Sequence, residues 1–279
     1  MSFTNSYTGL FGWKSGQIMK KGLIDVIFAS DKRKDVLLFL QDGAKEMREI
    51  LKNFQATRQS LLPQIRILEE HHLVFHYDDI YELSTIGKLV VDKMIPLLKT
   101  VDILESDIDY WGTHNIDFIP PDLLNRICEL GCCDLIQVPL HQLFDEDRQF
   151  LEEAKNADSL FIVTSFVFPN YKEFFAELIA NNVNIKVIFS QDIYEKVIRD
   201  IPEDIHHYLE TPNVQFYLYH GNFKFLSFSY TNHAVLIRLL NLEGNYDNKR
   251  LFCSGNSARG WAKELFEYYL KDSIPITEL

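Results

Sequence analysis

Three of the four cysteines lie close together in the middle of the chain, and thiols at this spacing could do chemistry. Cys128, Cys132 and Cys133 are four and one residues apart, so a helix end would bring at least two sulfurs together. Such a pair could bind a soft metal ion or sense redox state. The acidic residues beside them are poor partners for a thiolate-bound metal, and Cys253 is far along the chain. So few cysteines do not form a disulfide framework, and we interpret all four as reduced thiols that are mostly buried.

Histidines and glycines do not form a recognisable catalytic arrangement. The tandem pairs His71-His72 and His206-His207 cannot act as units, because adjacent helical residues point about 100° apart. Neither the phosphate-binding loop of nucleoside triphosphatases nor the glycine-rich turn of dinucleotide-binding proteins is present. We therefore predict no catalytic residues, no bound metal and no cofactor, and we do not expect an enzyme.

A predicted helix over residues 58–70 carries the side chains best suited to bind a macromolecule. Its apolar residues keep a helical period, which leaves a polar and basic face in solvent, and Thr57 is a suitable N-cap. Arginine and glutamine can pair with guanine and adenine through two hydrogen bonds each. The residues predicted to contact DNA on this helix and on the strand that follows it are Thr57, Arg58, Gln59, Ser60, Gln64, Arg66, His76 and Tyr77.

The elements around this helix follow the order of a winged helix-turn-helix. Two helical stretches between residues 21 and 40 and a short helix at 44–52 precede it, and alternating strands at 73–77 and 80–84 follow it as a hairpin. In this motif the last helix enters the major groove and the hairpin approaches the backbone. Asp78 and Asp79 at the hairpin tip would be repelled by phosphates, so we expect the helix to make most of the contacts.

The charge of the chain is unevenly divided between its two parts. Residues 1–95 hold 13 Lys and Arg against 12 Asp and Glu, a net charge of +1, whereas residues 96–279 hold 15 against 28, a net charge of −13. DNA affinity depends on local neutralisation of phosphates, so a nearly neutral module can still bind DNA. The alternative is a winged helix that contacts protein instead of DNA.

The second part of the chain alternates between helices and short apolar strands. Strands are predicted near residues 135–138, 160–164, 185–189 and 214–218, with helices between them, and three further strands near 224–230, 234–240 and 251–254 precede a last helix at 258–271. This order is typical of an α/β domain whose mixed sheet is covered on both faces. The fold class is therefore α+β, with a winged helix followed by an α/β domain.

Parallel strands open a crevice at their carboxyl ends, where we expect any small-molecule effector to bind. Aromatic residues in such a place are also common core residues. The predicted pocket residues, taken from the strand ends and from the segment before the α/β domain, are Trp111, His114, Ser165, Phe166, Phe168, Tyr171, Ser190 and Gln191.

The predicted domains are the winged helix at 1–95, a connector helix and linker at 96–120, and a sensory and dimerisation domain at 121–279. The amphipathic helix from residue 85 to 104 could pair with its symmetry mate in a homodimer that binds a palindromic operator, or could pack on its own domain. The chain has no apolar run of about 20 residues and no signal peptide at its first residues, so we expect a cytoplasmic protein without a membrane partner.

Several segments resemble archaeal winged-helix regulators of the methanogenesis regulatory protein family, which have an ArsR-like first domain. They include Leu83-Ser84-Thr85-Ile86-Gly87-Lys88, Asp109-Tyr110-Trp111 with His114, and Trp261-Ala262-Lys263-Glu264-Leu265. The resemblance covers most of the chain and implies a DNA-binding transcriptional regulator with a sensory domain. One departure is Phe168-Pro169, where members often have His-Pro.

The last sheet region also loosely resembles half-domains of phospholipase-D-like folds, which serve as sensors without catalysis in archaeal sugar regulators. The catalytic signature of that fold places a lysine two residues after a histidine. Here Asn222 follows His220 at that position and Lys224 comes too late. We therefore expect no phosphodiesterase activity.

Overall fold

The computed structural model describes residues 22–131, 133–139 and 148–278. The chain divides into two compact units, Met1–Ile95 and Pro96–Leu279. The fold is mixed α and β, with a three-stranded sheet in the first unit and an eight-stranded mixed sheet in the second. The fold class predicted from the sequence is confirmed.

Among the described residues, four α-helices, a 3-10 turn, the start of a longer helix and a small antiparallel sheet form the first unit. In chain order its elements are α1 (Leu23–Phe28), α2 (Asp31–Phe39), β1 (Lys45–Glu46), α3 (Met47–Asn53), α4 (Arg58–Glu70), β2 (Val74–Tyr77) and β3 (Ile80–Leu83). The strands are ordered β1-β3-β2, with β2 and β3 paired as the predicted hairpin. The sequence did not predict β1, which is two residues long and depends on pairing with β3.

Helix α4 has the bounds that the sequence predicted. The Thr57 side chain accepts a hydrogen bond from the Ser60 amide at 3.3 Å and so caps the first turn. Leu61, Ile65 and Leu68 are buried at helical spacing, which fixes the face that the helix turns toward the core. The opposite face is therefore left toward solvent.

The hairpin turn consists of Asp78 and Asp79, both in the left-handed region with φ of 47° and 68°. A two-residue turn with two positive φ values matches the twist of the strands, and aspartate tolerates it better than most residues. Helix α5 (Thr85–Glu105) follows the hairpin. At its start Gly87 is required by space, because a Cβ there would lie 2.0 Å from the Leu73 carbonyl oxygen.

In the part of the second unit that the structure describes, eight strands form the sheet. Its elements are α6 (Ile108–Thr113), α7 (Pro121–Leu124), β4 (Cys133–Gln137), α8 (Arg148–Lys155), β5 (Ser159–Thr164), α9 (Tyr171–Ala180), β6 (Asn184–Ser190), α10 (Gln191–Asp200), α11 (Pro202–Leu209), β7 (Val214–Tyr219), β8 (Phe225–Thr231), β9 (Val235–Leu239), β10 (Lys249–Cys253), α12 (Asn256–Lys271) and β11 (Ser273–Ile276). The strand order is β11-β7-β6-β5-β8-β9-β10-β4, in which β5, β6 and β7 are parallel and the remaining pairs antiparallel.

A separate hydrophobic core covers each face of this sheet. On one face α12 packs with the segment that precedes β4, and Trp261 donates a 2.9 Å hydrogen bond from its indole nitrogen to the Leu123 carbonyl. That core also includes Tyr110, Trp111 and Phe118, so the structure packs much of the segment predicted as a linker. On the other face α8, α9, α10 and α11 pack against alternate residues of the same strands.

The prediction that all cysteines are reduced thiols is wrong for two of them. Cys133 and Cys253 form a disulfide between β4 and β10, where the two residues are direct partners with Cα atoms 4.3 Å apart. Because 120 residues separate them, only the strand pairing brings them together. Cys128 is a free thiol, and Cys132 lies outside the described residues.

Candidate nucleic-acid interface and ligand cavity

The exposed face of α4 forms a narrow row, which we call the outer stripe. Gln59, Pro63, Arg66 and Glu70 are all exposed and recur at spacings of four and three residues. Among the residues described, neither Gln59 nor Arg66 has a hydrogen bond or ion pair from its side chain. These two polar groups are therefore available to an external partner.

The other helix residues predicted to contact DNA have different surroundings. The Thr57 and Ser60 side chains both take part in the cap, since the Ser60 hydroxyl donates to the Thr57 carbonyl at 3.0 Å. Gln64 is half-buried, because its place in the helical turn puts it beside the core face and away from the outer stripe. The structure thus separates Gln64 from Gln59 and Arg66.

Arg58 binds the tip of the hairpin. Its two terminal nitrogens donate to the Asp79 carboxylate oxygens at 2.9 and 2.6 Å, a two-point ion pair that joins the start of α4 to the turn. This hydrogen bonding raises the pKa of Arg58 and lowers the pKa of Asp79 below its usual range. The pair neutralises one of the two tip carboxylates, and the positive charge of Arg58 is compensated in turn.

The far end of α4 is joined to the hairpin by a second pair. His76 on β2 contacts the Glu69 carboxylate through Nδ1, and its ring stacks on Tyr81 with centroids 5.1 Å apart. Phe75 and Tyr77 on the same strand are 46% and 51% exposed, which is high for aromatic side chains. Of the two strand residues predicted to contact DNA, Tyr77 is open to solvent and His76 is paired with a carboxylate.

A cavity of about 100 Å³ lies in the second unit, between the sheet and helices α8 to α11. Most of its lining is aromatic or aliphatic. Three predicted pocket residues line it, namely Phe166, Phe168 and Tyr171, which belong to the segment from the end of β5 to the start of α9. Its sheet side is formed by alternate residues of the strands, because successive side chains point to opposite faces.

Polar side chains meet at the sheet side of this cavity. Arg238 of β9 is only 5% exposed, donates to the Ser227 hydroxyl at 3.2 Å, and lies with its guanidinium carbon 4.8 Å from the centre of the Phe168 ring. Thr164 holds the neighbouring loop, since its hydroxyl donates to the Phe166 carbonyl at 2.6 Å and accepts from the Phe166 amide at 3.0 Å.

Helices α9 and α11 are joined beside the cavity by a shared carboxylate. The Tyr171 hydroxyl donates to Asp204, and the Lys172 ammonium lies 2.9 Å from the same carboxylate. The hydrogen bond from Tyr171 lowers the pKa of Asp204 below its usual range, and burial raises the pKa of the Tyr171 hydroxyl. These contacts fix the Tyr171 ring in the cavity wall.

The remaining predicted pocket residues lie outside the lining. The Ser165 hydroxyl donates to the Phe225 and Leu226 carbonyls at 3.1 and 3.0 Å. Gln191 donates to Glu195 at 2.8 Å, and Ser190 is buried just before α10.

Trp111 and His114 are also outside the lining, because they belong to the opposite side of the sheet. Trp111 is part of the core that includes α12. His114 Nδ1 is 2.7 Å from the Tyr110 carbonyl, and its Nε2 is 3.2 Å from the Asp247 carboxylate. The eight predicted residues therefore do not form one site.

Sequence reasoning missed Arg238, although one signal was present. It is the single charged residue in the run Val235–Leu239, which otherwise consists of apolar residues. A charge inside a strand that is buried on both faces must be paired or functional. Across the described ranges no cluster of three metal-ligating side chains occurs, and no described helix is long and apolar enough to cross a membrane.

Two solved structures are distantly similar to this chain. TrmBL2, an archaeal chromatin protein that binds DNA, is 12% identical with a TM-score of 0.42, over 86% of this chain and 91% of that one. A phospholipase D family member, Nuc from Salmonella typhimurium, is 13% identical with a TM-score of 0.35, over 53% of this chain and 99% of that one. At these scores neither likeness bears on function.

Both units match models of one protein family. Residues 21–102 match the N-terminal domain of the methanogenesis regulatory protein FilR1, and residues 143–272 match its middle domain. The FilR1 protein of Methanothrix harundinacea strain 6Ac is 23% identical over 261 residues, which is 90% of this chain and 58% of the relative, so the chain spans little more than half the relative's length. The chain belongs to the family of the methanogenesis regulatory protein FilR1.

Proposed function

We propose that this chain is a DNA-binding transcriptional regulator that acts as a homodimer and responds to a small molecule. The observation that carries the proposal is the outer stripe of α4, where Gln59 and Arg66 are exposed on the helix that a winged helix-turn-helix inserts into the major groove. The name of the FilR1 relative, a methanogenesis regulatory protein, supports the same class of function.

In this proposal the outer stripe reads bases. Arg66 can donate two hydrogen bonds to a guanine, and Gln59 can pair with an adenine in the same way. Glu70 at the end of the stripe would repel a phosphate, so the part of α4 from Gln59 to Arg66 lies deepest in the groove. The Arg58 and Asp79 pair lets the hairpin tip approach the backbone without its full negative charge.

Helix α5 is proposed as the dimer contact. Its exposed apolar residues Ile86, Leu89, Leu97 and Val101 are 52%, 62%, 55% and 36% exposed and recur at helical spacing. Exposure of such an apolar row to solvent along a helix of 21 residues is energetically unfavourable. A second copy of the same helix would cover it, and the two-fold axis would then present two α4 helices to a palindromic site.

The second unit is proposed as the sensor. Its cavity has a mostly apolar lining with a few convergent polar groups, which is the usual form of a small-molecule site. A ligand there would affect DNA binding only if its affinity differs between two arrangements of the dimer.

Fluorescence anisotropy with DNA from upstream of the chain's own gene tests the proposal at two salt concentrations. Binding should weaken steeply as salt rises. Arg66→Ala should lower the affinity for the specific site by roughly 5- to 150-fold, the effect of about 1–3 kcal/mol for a two-point base contact. Arg199→Ala, an exposed arginine on α10 whose side chain is 72% exposed, should leave the affinity unchanged. Equal affinities for Arg66→Ala and the unaltered chain would refute the proposed interface.

A second candidate function is a winged helix that binds another protein. The exposed rings of Phe75 and Tyr77 favour it, because aromatic side chains are enriched in protein interfaces and add little to phosphate binding. The same titration separates the two functions. Absence of salt-dependent DNA binding, together with loss of a protein complex in Phe75→Ser, would support this candidate over the first.

A further inference from the structure

The side chain of Ser229, on β8, is a polar group of the cavity that has no hydrogen-bond partner among the described residues. It lines the cavity and is only 6% exposed. Buried polar groups of native proteins are nearly always hydrogen-bonded, so one without a partner needs an explanation. A bound molecule that brings an oxygen atom to this position would supply the missing bond.

The positive charge of the lining is stabilised from within the chain. Arg238 donates to the Ser227 hydroxyl, shares a hydrogen bond with the Tyr246 hydroxyl, and lies over the Phe168 ring. Among the described residues of the lining there is no carboxylate, lysine or histidine. A cationic ligand would be repelled by Arg238, and an anionic ligand would have to compete with these internal bonds after losing its own hydration. The lining therefore favours a neutral ligand.

We infer that this cavity binds a small neutral aromatic molecule with one oxygen substituent, of the phenol class. The ring would pack against the aromatic side chains of the lining, and the oxygen would form a hydrogen bond with the Ser229 hydroxyl. The inference rests on the sensory role proposed for this unit and names the class of ligand that the sensor would take.

The rings of the lining already pack in the way that aromatic groups prefer. Phe166 and Phe168 lie edge to face with centroids 5.1 Å apart, and Phe189 and Phe216 are tilted with centroids 5.3 Å apart. Edge-to-face and tilted arrangements are attractive beyond the burial of area, because the edge of one ring meets the face of another. An aromatic ligand can extend this packing, whereas an aliphatic ligand gains burial alone.

The volume limits the ligand to about one ring. A water molecule needs roughly 10–15 Å³ of such space, so about 100 Å³ corresponds to roughly seven to ten non-hydrogen atoms. Phenol and 4-methylphenol fall in this range. A sugar of similar size would leave several hydroxyls without partners against the apolar lining, which opposes binding.

Isothermal titration of the full chain with phenol tests the inference, and toluene is the matched probe because it has the same shape without the hydroxyl. Both should bind, and benzoate should bind roughly tenfold or more weakly than phenol because it carries a charge. Ser229→Ala should weaken phenol binding by roughly 2- to 12-fold, the effect of one neutral hydrogen bond, and should not weaken toluene binding. Ser257→Ala, at an exposed position in the first turn of α12, should leave both affinities unchanged.

Three results would overturn the inference. The first is the absence of heat with both phenol and toluene at millimolar concentration and at two temperatures. The second is an equal affinity of Ser229→Ala and the unaltered chain for phenol. The third is tighter binding of benzoate than of phenol. Because the Ser229 hydroxyl has no partner to lose within the described residues, Ser229→Ala should retain the stability of the unaltered chain.

A second variant tests the location of the site. Ser229→Leu places an apolar side chain in space that the cavity leaves empty, so the chain should keep its circular dichroism spectrum. It should weaken the binding of both phenol and toluene at least tenfold, because the added atoms occupy the volume of the ligand. Unchanged affinities would contradict the location.

The titrations contain no DNA, so their failure leaves the DNA-binding proposal standing, and loss of DNA binding in Arg66→Ala does not affect them. Anisotropy with the upstream DNA at saturating phenol tests the sensory role separately. A change in DNA affinity that Ser229→Leu abolishes would support both. Phenol binding without any change in DNA affinity would exclude the sensory role and leave the ligand class supported.

Discussion

Replacing Asp79 with asparagine should strengthen DNA binding by releasing Arg58. In the structure both terminal nitrogens of Arg58 donate to Asp79, and the two side chains are 52% and 48% exposed. The ion pair has no net charge and offers little to a phosphate. Asparagine cannot hold the guanidinium with comparable strength, so Asp79→Asn leaves a free cation at the start of α4.

The size of the effect follows from counterion release. Each additional phosphate contact changes the slope of log affinity against log salt by about 0.9. A single new contact would therefore deepen the loss of affinity between about 50 and 200 mM salt by roughly 3- to 4-fold, and one contact from each protomer of a dimer would deepen it by roughly 12-fold. Affinity at the lower salt concentration should rise accordingly.

Asp78→Asn is the matched control, because it removes the same charge from the adjacent turn residue. Asp78 has no ion pair among the residues described, so its replacement reduces repulsion without freeing Arg58. Anisotropy titrations at several salt concentrations should give a steeper slope for Asp79→Asn than for Asp78→Asn. Equal slopes, or weaker binding by Asp79→Asn, would show that Arg58 does not contact DNA when released.

Three further predictions concern the dimer, the disulfide and acid stability. Leu97→Lys should shift the chain from dimer to monomer in sedimentation, whereas Leu242→Lys, at a 69% exposed position outside α5, should not; a dimeric Leu97→Lys would exclude α5 as the contact. Thiol titration of the unfolded, unreduced chain should detect at most two of its four cysteines, and a count of four thiols would contradict the disulfide. Cys133→Ser should destabilise the second unit by about 2–5 kcal/mol in urea unfolding. Arg126 lowers the pKa of Glu264 by hydrogen bonding, so this pair stabilises the fold above the usual carboxyl pKa and ceases to do so as pH falls through the lowered value; Glu264→Gln should make unfolding less dependent on acid pH, and an unaltered acid profile would argue against the pair.

Local sequence patterns were sufficient for the elements that depend on nearby residues. The cap at Thr57 and the buried period of α4 are both short-range features, and the structure has the predicted bounds. The apolar runs of β5 and β6 were equally clear, because strands covered on both faces contain few polar residues.

Long-range features were not accessible in this way. The disulfide depends on the pairing of β4 with β10 across 120 residues. The ion pair of Arg58 likewise depends on Asp79, a turn residue 21 positions away. The burial of Arg238 and the assignment of Trp111 to the face opposite the cavity follow from the order of strands in the sheet. Periodicity gives the faces of a strand but does not say which helices cover each face.

Methylation interference on the upstream DNA of the chain's own gene tests the central claim most directly. Methylated N7 atoms block contacts in the major groove, where Arg66 is expected to pair with guanine. We expect interference at guanines in two half-sites whose centres are separated by about 10–10.5 base pairs or a multiple of that spacing, and we expect Arg66→Ala to lose this pattern. Binding without interference at any guanine, or a pattern unchanged in Arg66→Ala, would contradict base recognition by the outer stripe.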